Sequence, residues 1–318
     1  MRLVMMGTGP FAVPTFRKLY ETEHTVVALV TGPLKNFRPG MAVGPMRDLA
    51  HEHLTPIFDP EDINSPEGQS GLTAMKADLL VVCDYGQILS AAVLGTARLG
   101  GINLHASLLP KYRGAAPINW AIYHGETETG VSVIHMTPNV DAGPIIAQAA
   151  TPIHPDETAV ELEARLAEIG AWLMIRAIDT VKEGRIEAIP QDPALASKAP
   201  RLKKTDGLID WNRPANAIRN HIRAMEPWPK TYTFWHRESG PPLRLILAPV
   251  TVLSRNPKAA SPGTVIEAAR DRLVVAAGEG AVLIHGVQPA GKRMLSVREF
   301  LNGHRVRPGD RFGPEQTP

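Results

Sequence analysis

Short aliphatic runs alternate with amphipathic stretches through the first two thirds of the chain. Arg2–Met6, Thr25–Val30 and Leu79–Cys83 are apolar enough to predict buried strands, and Gly101–Leu104 predicts a shorter one. Thr129–Met136 alternates as a half-buried strand should, and Ile145–Pro152 reads as another. Helical spacing covers Phe11–Glu21, Val43–His53 and Pro117–Tyr123. Thr158, with Glu161 three residues later, forms a capping-box signal for a long helix to about Glu183. Alternating strands and helices argue for an α/β domain over residues 1–188, built on a mostly parallel sheet with helices on both faces.

The pattern then changes. Ile189 to Thr205 is polar, carries three prolines and has no period, so 189–205 reads as a linker. Pro214–Ala224 has helical spacing, with Pro214 suited to the first turn. Thereafter short strands dominate: Thr231–Trp235, Leu243–Val252, Gly263–Glu267, Leu273–Ala277 and Val282–Val287. Turn signals at Ser239–Pro242 and Ser261–Gly263 separate them. The count fits a five-stranded barrel of the nucleic-acid-binding type over 206–318.

Composition narrows this. A chain of 318 residues predicts about two domains. With 44% hydrophobic and 21% charged residues, disordered and low-complexity classes are excluded. Cys83 is the only cysteine, so neither an internal disulfide nor a cysteine-based zinc site is available, and a reducing cytoplasm fits. No apolar run reaches the roughly 18 residues that span a bilayer. Met1 to Met6 is cut off by Gly7, Gly9 and Pro10 and reads as a strand rather than a leader. The net charge of +2 hides an asymmetry: residues 201–318 hold 19 Lys and Arg against 10 Asp and Glu, the remainder 15 against 22. A polyanionic partner, nucleic acid first, is one reading, and a solvated Arg-rich surface is the other.

Gly7-Thr8-Gly9-Pro10-Phe11-Ala12 matches the glycine pattern of dinucleotide-binding turns. That pattern also requires an acidic residue at the end of the second strand, to hold a ribose. Here the strand ends Ala28-Leu29-Val30-Thr31-Gly32, while Glu21 and Glu23 precede it. A tight strand-to-helix turn is therefore the favoured reading.

Asn103 and His105 stand at i and i+2 at the end of a strand, so both side chains share one face. Ligands of open α/β sheets bind beyond such strand ends. Asp141 lies in a second loop, Pro138 to Pro144. An amide donor, an imidazole and a carboxylate suit acyl transfer. Asn103 can stabilise a developing oxyanion, His105 can pass a proton, and Asp141 can orient His105. No nucleophile is evident: Cys83 lies in a buried strand and Ser107 has no paired base, which favours direct transfer. The competing reading is a structural histidine and a turn-forming aspartate. His124 and His135 read as packing or surface residues.

The stretch Gly101-Ile102-Asn103-Leu104-His105-Ala106-Ser107-Leu108-Leu109-Pro110, continuing Lys111-Tyr112-Arg113-Gly114-Ala115-Ala116-Pro117-Ile118, resembles the signature of the folate-dependent formyltransferases. Thr129-Gly130-Val131 and Asp141-Ala142-Gly143-Pro144-Ile145 fit the same pattern. The resemblance covers nearly the whole chain. It implies a Rossmann-like N-terminal formyltransferase domain, a C-terminal OB-like β-barrel, and 10-formyltetrahydrofolate as co-substrate with no metal. It matches Asn103, His105 and Asp141 to the catalytic trio. Ser107, Leu108, Leu109 and Pro110 match a folate-contacting loop, and Asp84, Tyr85, Gly86, Gln87, Ile88 and Leu89 match a stretch lining the same pocket. Ile209-Asp210-Trp211 and Ile222 to Pro229 are similar to the family branch whose acceptor is methionyl-initiator-tRNA. The rivals are an amino sugar nucleotide acceptor, a folate hydrolase, and a nucleic-acid-binding protein with a vestigial first domain.

The tRNA acceptor would account for the cationic C-terminal third. Lys203, Lys204, Arg219, Arg223, Lys292 and Arg293 are the candidates for its surface, and salt-sensitive binding is expected. The loop inserted after the second strand in that branch is represented by Leu34 to Ala42, with only Lys35 and Arg38 as cations. Trp211 and Trp228 are expected in the core, and a monomer is expected in solution.

Overall fold

The computed structural model describes residues 1–34, 44–185, 187–238, 240–254 and 260–316. Lys35, Arg38 and the first residue of the expected Val43–His53 helix lie outside the described residues. The chain divides into two units. One comprises residues 1–117, 128–152 and 161–200, the other 118–127, 153–160 and 201–318.

The first unit is built on a seven-stranded sheet of β1 (Arg2–Met6), β2 (Thr25–Val30), β3 (Ile57–Phe58), β4 (Leu79–Cys83), β5 (Gly101–His105), β6 (Glu128–His135) and β7 (Ile145–Pro152). Their order is β3-β2-β1-β4-β5-β6-β7. The first five are parallel, and β6 and β7 extend the sheet antiparallel. The parallel strands read as continuous apolar runs because both faces are covered. On one face Val4, Met6, Leu80 and Val82 meet Leu72 of a helix at Pro66–Met75 and Val93 and Leu94 of another at Ala91–Leu94. On the other, Leu104 closes on Gly170 of the long helix Ala159–Lys182, which begins directly after Thr158.

The helix expected at Phe11–Glu21 opens as a 3-10 turn, Pro10–Ala12, and is α-helical only over Val13–Leu19. Pro14 has no N–H to donate to the carbonyl of Pro10, so no α-turn can close there. The segment expected as a linker is hydrogen-bonded onto the first unit as far as Ala199: Ile189 pairs with Ile145, and Ser197 and Ala199 exchange backbone bonds with Arg113.

Among its described residues the second unit carries nine strands: β8 (Tyr232–His236), β9 (Leu243–Leu247), β10 (Val250–Leu253), β11 (Val265–Ala269), β12 (Arg272–Ala276), β13 (Ala281–Ile284), β14 (Gly286–Pro289), β15 (Leu295–Ser296) and β16 (Arg311–Gly313). They form two antiparallel sheets, ordered β10-β13-β12-β11 and β15-β14-β9-β8-β16. The runs expected as single strands at Leu243–Val252 and Val282–Val287 each pass from one sheet to the other, breaking at Ala248-Pro249 and at His285. Counting each bent pair as one strand leaves seven, of which β8, β9/β10, β11, β12 and β13/β14 fall on the five expected runs and the short β15 and β16 are additional. The short β16 closes the gap between β8, its partner, and β11, reached through a bridge of Arg311 with Thr264.

Inside lie Ile218 and Ile222 of the helix Ala215–Ala224, Trp235, Leu245, Val275, Val287, Phe312 and Phe300 of the helix Val297–Gly303. Trp211 is 4% exposed and donates Nε1–H to the Thr233 hydroxyl at 3.0 Å. Trp228, expected in the core, is 47% exposed, because it falls in a turn with no alternation to bury it.

Candidate active site

Asn103 pairs with Val82 across the parallel β4–β5 ladder and so shares its face, and His105 follows two residues on. The Asp141 carboxylate reaches this strand end from the loop between β6 and β7. Its Oδ1 lies 3.4 Å from Asn103 Nδ2 and its Oδ2 lies 3.5 Å from His105 Nδ1. Oδ2 also accepts the backbone N–H of Gly114 at 2.9 Å. His105 is 6% exposed, and its Nε2 lies 2.9 Å from the Tyr112 carbonyl oxygen. Both imidazole nitrogens therefore face oxygen atoms, Nδ1 the Asp141 carboxylate and Nε2 the Tyr112 carbonyl.

The loops that bring these groups together are held in sparsely populated backbone. Tyr112 has φ of 61° and Asp141 of 49°. Such conformations persist where surrounding contacts over-determine them. Tyr112 N–H donates to Ser197 Oγ at 2.8 Å, and Gly114 lies so close to the next segment that a Cβ would stand 2.5 Å from the Ala199 oxygen. Gly143 is equally constrained, since a Cβ there would meet the His135 oxygen.

Ser107, Leu108, Leu109 and Pro110 lead away from His105. Ser107 is buried, donates its hydroxyl to the Lys111 carbonyl and accepts Ser132 Oγ–H on its own carbonyl, leaving Leu108 and Pro110 as the partly exposed residues of the stretch. Two polar side chains on the antiparallel strands shape this turn. Ser132 Oγ accepts Leu109 N–H at 3.0 Å, and Gln148 Nε2 donates to the Leu109 carbonyl at 2.9 Å.

Asp84 to Leu89 leaves β4 at the same sheet edge. Asp84 has φ of 49° and Gly86 of 86°. Tyr85 and Leu89 are buried, while Ile88 is 64% exposed. Gln87 spends its side chain on Ile63 N–H and the Glu61 carbonyl, so it shapes the loop rather than projecting from it. Burial raises the Asp84 and Tyr85 pKa values, the latter to about 12. Thr8 N–H is bonded to the Asp84 carbonyl, and the Asp84 carboxyl lies over Gly9, where a Cβ would collide with Oδ2. The second glycine of a dinucleotide fingerprint opens this same space to a pyrophosphate. Here an acidic side chain takes it, and the glycines serve a tight turn.

The formyl transferase family model matches residues 1–178, and the model of the family's C-terminal domain matches residues 201–305. The chain belongs to the formyl transferase family. A methionyl-tRNA formyltransferase of Rhodopirellula baltica is 45% identical over 325 residues, covering 98% of this chain and 96% of its own. Another, of Geobacter sulfurreducens, is 39% identical and covers 98% and 97%. Among solved structures, an N-formyltransferase of Helicobacter canadensis in complex with folinic acid and dTDP-3-aminofucose superposes with a TM-score of 0.67. At 18% identity, over 90% of this chain and 98% of that one, it shares the fold.

The cationic candidates of this formyltransferase separate by environment. Lys203, Lys204, Lys292 and Arg293 are exposed, Arg293 being paired with Glu299 at 2.7 Å. Arg219 is half-buried, 3.8 Å from Asp156. Arg223 is a correction to the expected surface: it is 8% exposed, and its guanidinium donates to the His154 and Glu157 carbonyls and to Asn220. Helical periodicity places it on the inner side of its helix, where a cation survives only with acceptors around it. The outer side of β8 and β9 instead presents Arg244 over the Tyr232 ring at 4.1 Å, beside Phe234. Strand alternation alone marks those residues, and sequence reasoning passed over them, as it did Ser132, Gln148 and Gln191. No group of three or more metal-ligating side chains occurs among the described residues, and no helix among them is long and apolar enough to cross a membrane.

Proposed function

We propose that the chain transfers the formyl group of 10-formyltetrahydrofolate to the α-amine of methionyl-initiator-tRNA, giving N-formylmethionyl-tRNA for translation initiation in the cytoplasm. The observation that carries the reading is the convergence of Asn103, His105 and the Gly114 amide on one carboxylate, Asp141. The acceptor is supported by relatives of that name that are matched over nearly their whole length.

The co-substrate supplies an activated formyl carbon attached through N10. A new bond joins that carbon to the amine nitrogen, the bond to N10 breaks, one proton leaves the amine and one arrives at N10. The side chains therefore relay protons without net gain. Asn103 Nδ2 has two protons and uses one on a long contact to Asp141, leaving the other for the developing oxyanion. His105, with Nδ1 3.5 Å from the carboxylate, can pass a proton to the departing nitrogen. Asp141 takes the surplus proton from the amine. A free α-amine titrates near 7.7–8.0, so a strong base is not required near neutrality. Holding both substrates at one strand end makes the reaction effectively unimolecular.

The segments Asp84 to Leu89 and Ser107 to Pro110 are the proposed walls of the folate site. Lys203, Lys204, Lys292, Arg293 and Arg244 are the proposed phosphate contacts. The test offers 10-formyltetrahydrofolate with methionyl-initiator-tRNA, with an amino sugar nucleotide, and with no acceptor. Formyl transfer to the tRNA is expected. Product on the sugar alone, or hydrolysis alone, overturns the assignment.

A further inference from the structure

Resting on this formyl-transfer reading, we infer that Gln191 is a positioning residue that sets the Asp141 carboxylate against His105 and Asn103. Its carboxamide is fully used, and all of it on the two loops that carry the site. Nε2 donates to the backbone carbonyls of Asp141 at 2.8 Å and Gly143 at 2.7 Å. Oε1 accepts Nε and Nη2 of Arg113 at 3.0 and 2.7 Å. An amide side chain offers two donor protons and two lone pairs, so nothing is left over for solvent or substrate.

The two loops lie apart in sequence and are joined by bonds that converge on Asp141 and Arg113. The Asp141 carboxylate binds Gly114 N–H at 2.9 Å, and Gln191 supplies the second link, from the carbonyl of Asp141 itself to the neighbouring Arg113. Asp141 is held at a φ of 49°, a conformation a free loop abandons. Its contacts to Asn103 and His105 are long, 3.4 and 3.5 Å, so a small drift of the loop breaks them. The segment bearing Gln191 is itself fastened at both ends, by the Ile145–Ile189 pair and by the bonds of Ser197 and Ala199 to Arg113. It is a strap with one side chain reaching inward across both loops.

The test uses Gln191→Leu, which keeps the volume and removes all four bonds, and Gln191→Glu, which keeps the acceptors for Arg113 and removes the donors. Each is expected to lower kcat for formyl transfer about tenfold, a loss of roughly 1.4 kcal/mol of transition-state stabilisation passed on through Asp141. KM for both substrates should stay within twofold. Because Gln191 acts through Asp141, adding Gln191→Leu to Asp141→Asn should cost less than twofold more, whereas a merely structural defect multiplies. A tenfold further loss in that background overturns the proposal. So does unchanged kcat in Gln191→Leu, or wild-type turnover in Gln191→Glu, which also stands in if the leucine variant fails to fold. A wild-type protein inactive on methionyl-tRNA sinks the functional reading, while an active wild type matched by both variants sinks this one alone.

Discussion

Replacing Gly114 by alanine perturbs one donor to Asp141 without touching a titratable side chain. The added Cβ would lie 2.5 Å from the Ala199 oxygen, and ordinary contact begins at 3.4 Å, so backbone must shift by nearly an ångström. The φ of 127° adds strain for any L side chain. Ala199 is tied to both flanks of Gly114, its N–H to the Arg113 carbonyl and its oxygen to Ala116 N–H, so the clash has to be relieved at Gly114 itself. A shift of that size stretches the 2.9 Å bond from Gly114 N to Asp141 Oδ2 past bonding distance. A hydrogen bond to a charged group contributes about 1.5–3 kcal/mol. With tenfold in rate per roughly 1.36 kcal/mol, kcat should fall about 10- to 150-fold. The assay is steady-state formyl transfer at saturating formyl donor, with tRNA affinity measured separately by filter binding and expected to hold. Turnover within threefold of wild type, in a variant with native melting behaviour, would refute the placement of this amide in the site.

Asn103→Ala should reduce kcat about 10²- to 10³-fold with little change in tRNA affinity, the usual cost of a lost oxyanion donor, and a loss confined to KM would contradict that role. Burial lowers the His221 pKa to about 4, against an ordinary 6.5, while its Nε2 lies 2.6 Å from the Asp206 carbonyl. The depressed value keeps the ring neutral in the folded state, so its stabilisation is present above pH 6.5 and is lost as pH falls toward 4. About 3 kcal/mol should disappear across that interval, and denaturant titrations of His221→Gln with an undiminished pH slope would refute the assignment. Arg223→Ala should destabilise the protein by about 2–4 kcal/mol, removing the guanidinium that donates to the His154 and Glu157 carbonyls and to Asn220, and should not alter the salt dependence of tRNA binding. Lys292→Ala should do the reverse, reducing the slope of log affinity against log salt by about one with unchanged stability.

Local periodicity carried much of the architecture. The parallel strands β1, β2 and β4 are apolar on both sides because helices cover both faces, and that appears as continuous runs in the chain. Asn103 and His105 could be assigned to one face because a strand repeats every two residues. Charge alone misplaced Arg223 on the surface, since its inward helical position holds a cation whose acceptors come from residues 154 and 157. Ser296 and Glu299 form a complete capping box at the start of the last helix, a signal present in the sequence and overlooked.

The amino-acid order by itself determined the apolar runs of the main strands, the shared face of Asn103 and His105, the cationic excess after residue 200, and the motif that marks a formyl-transfer site. Tertiary structure alone decided that the Gly114 amide and Gln191 share the positioning of Asp141, that a proline-rich stretch is a strap, and that β16 completes the barrel. The difference has a physical cause. Side-chain direction repeats with a fixed local period, whereas a hydrogen bond between loops exists only once distant segments have closed on each other, and no short-range pattern encodes that closure.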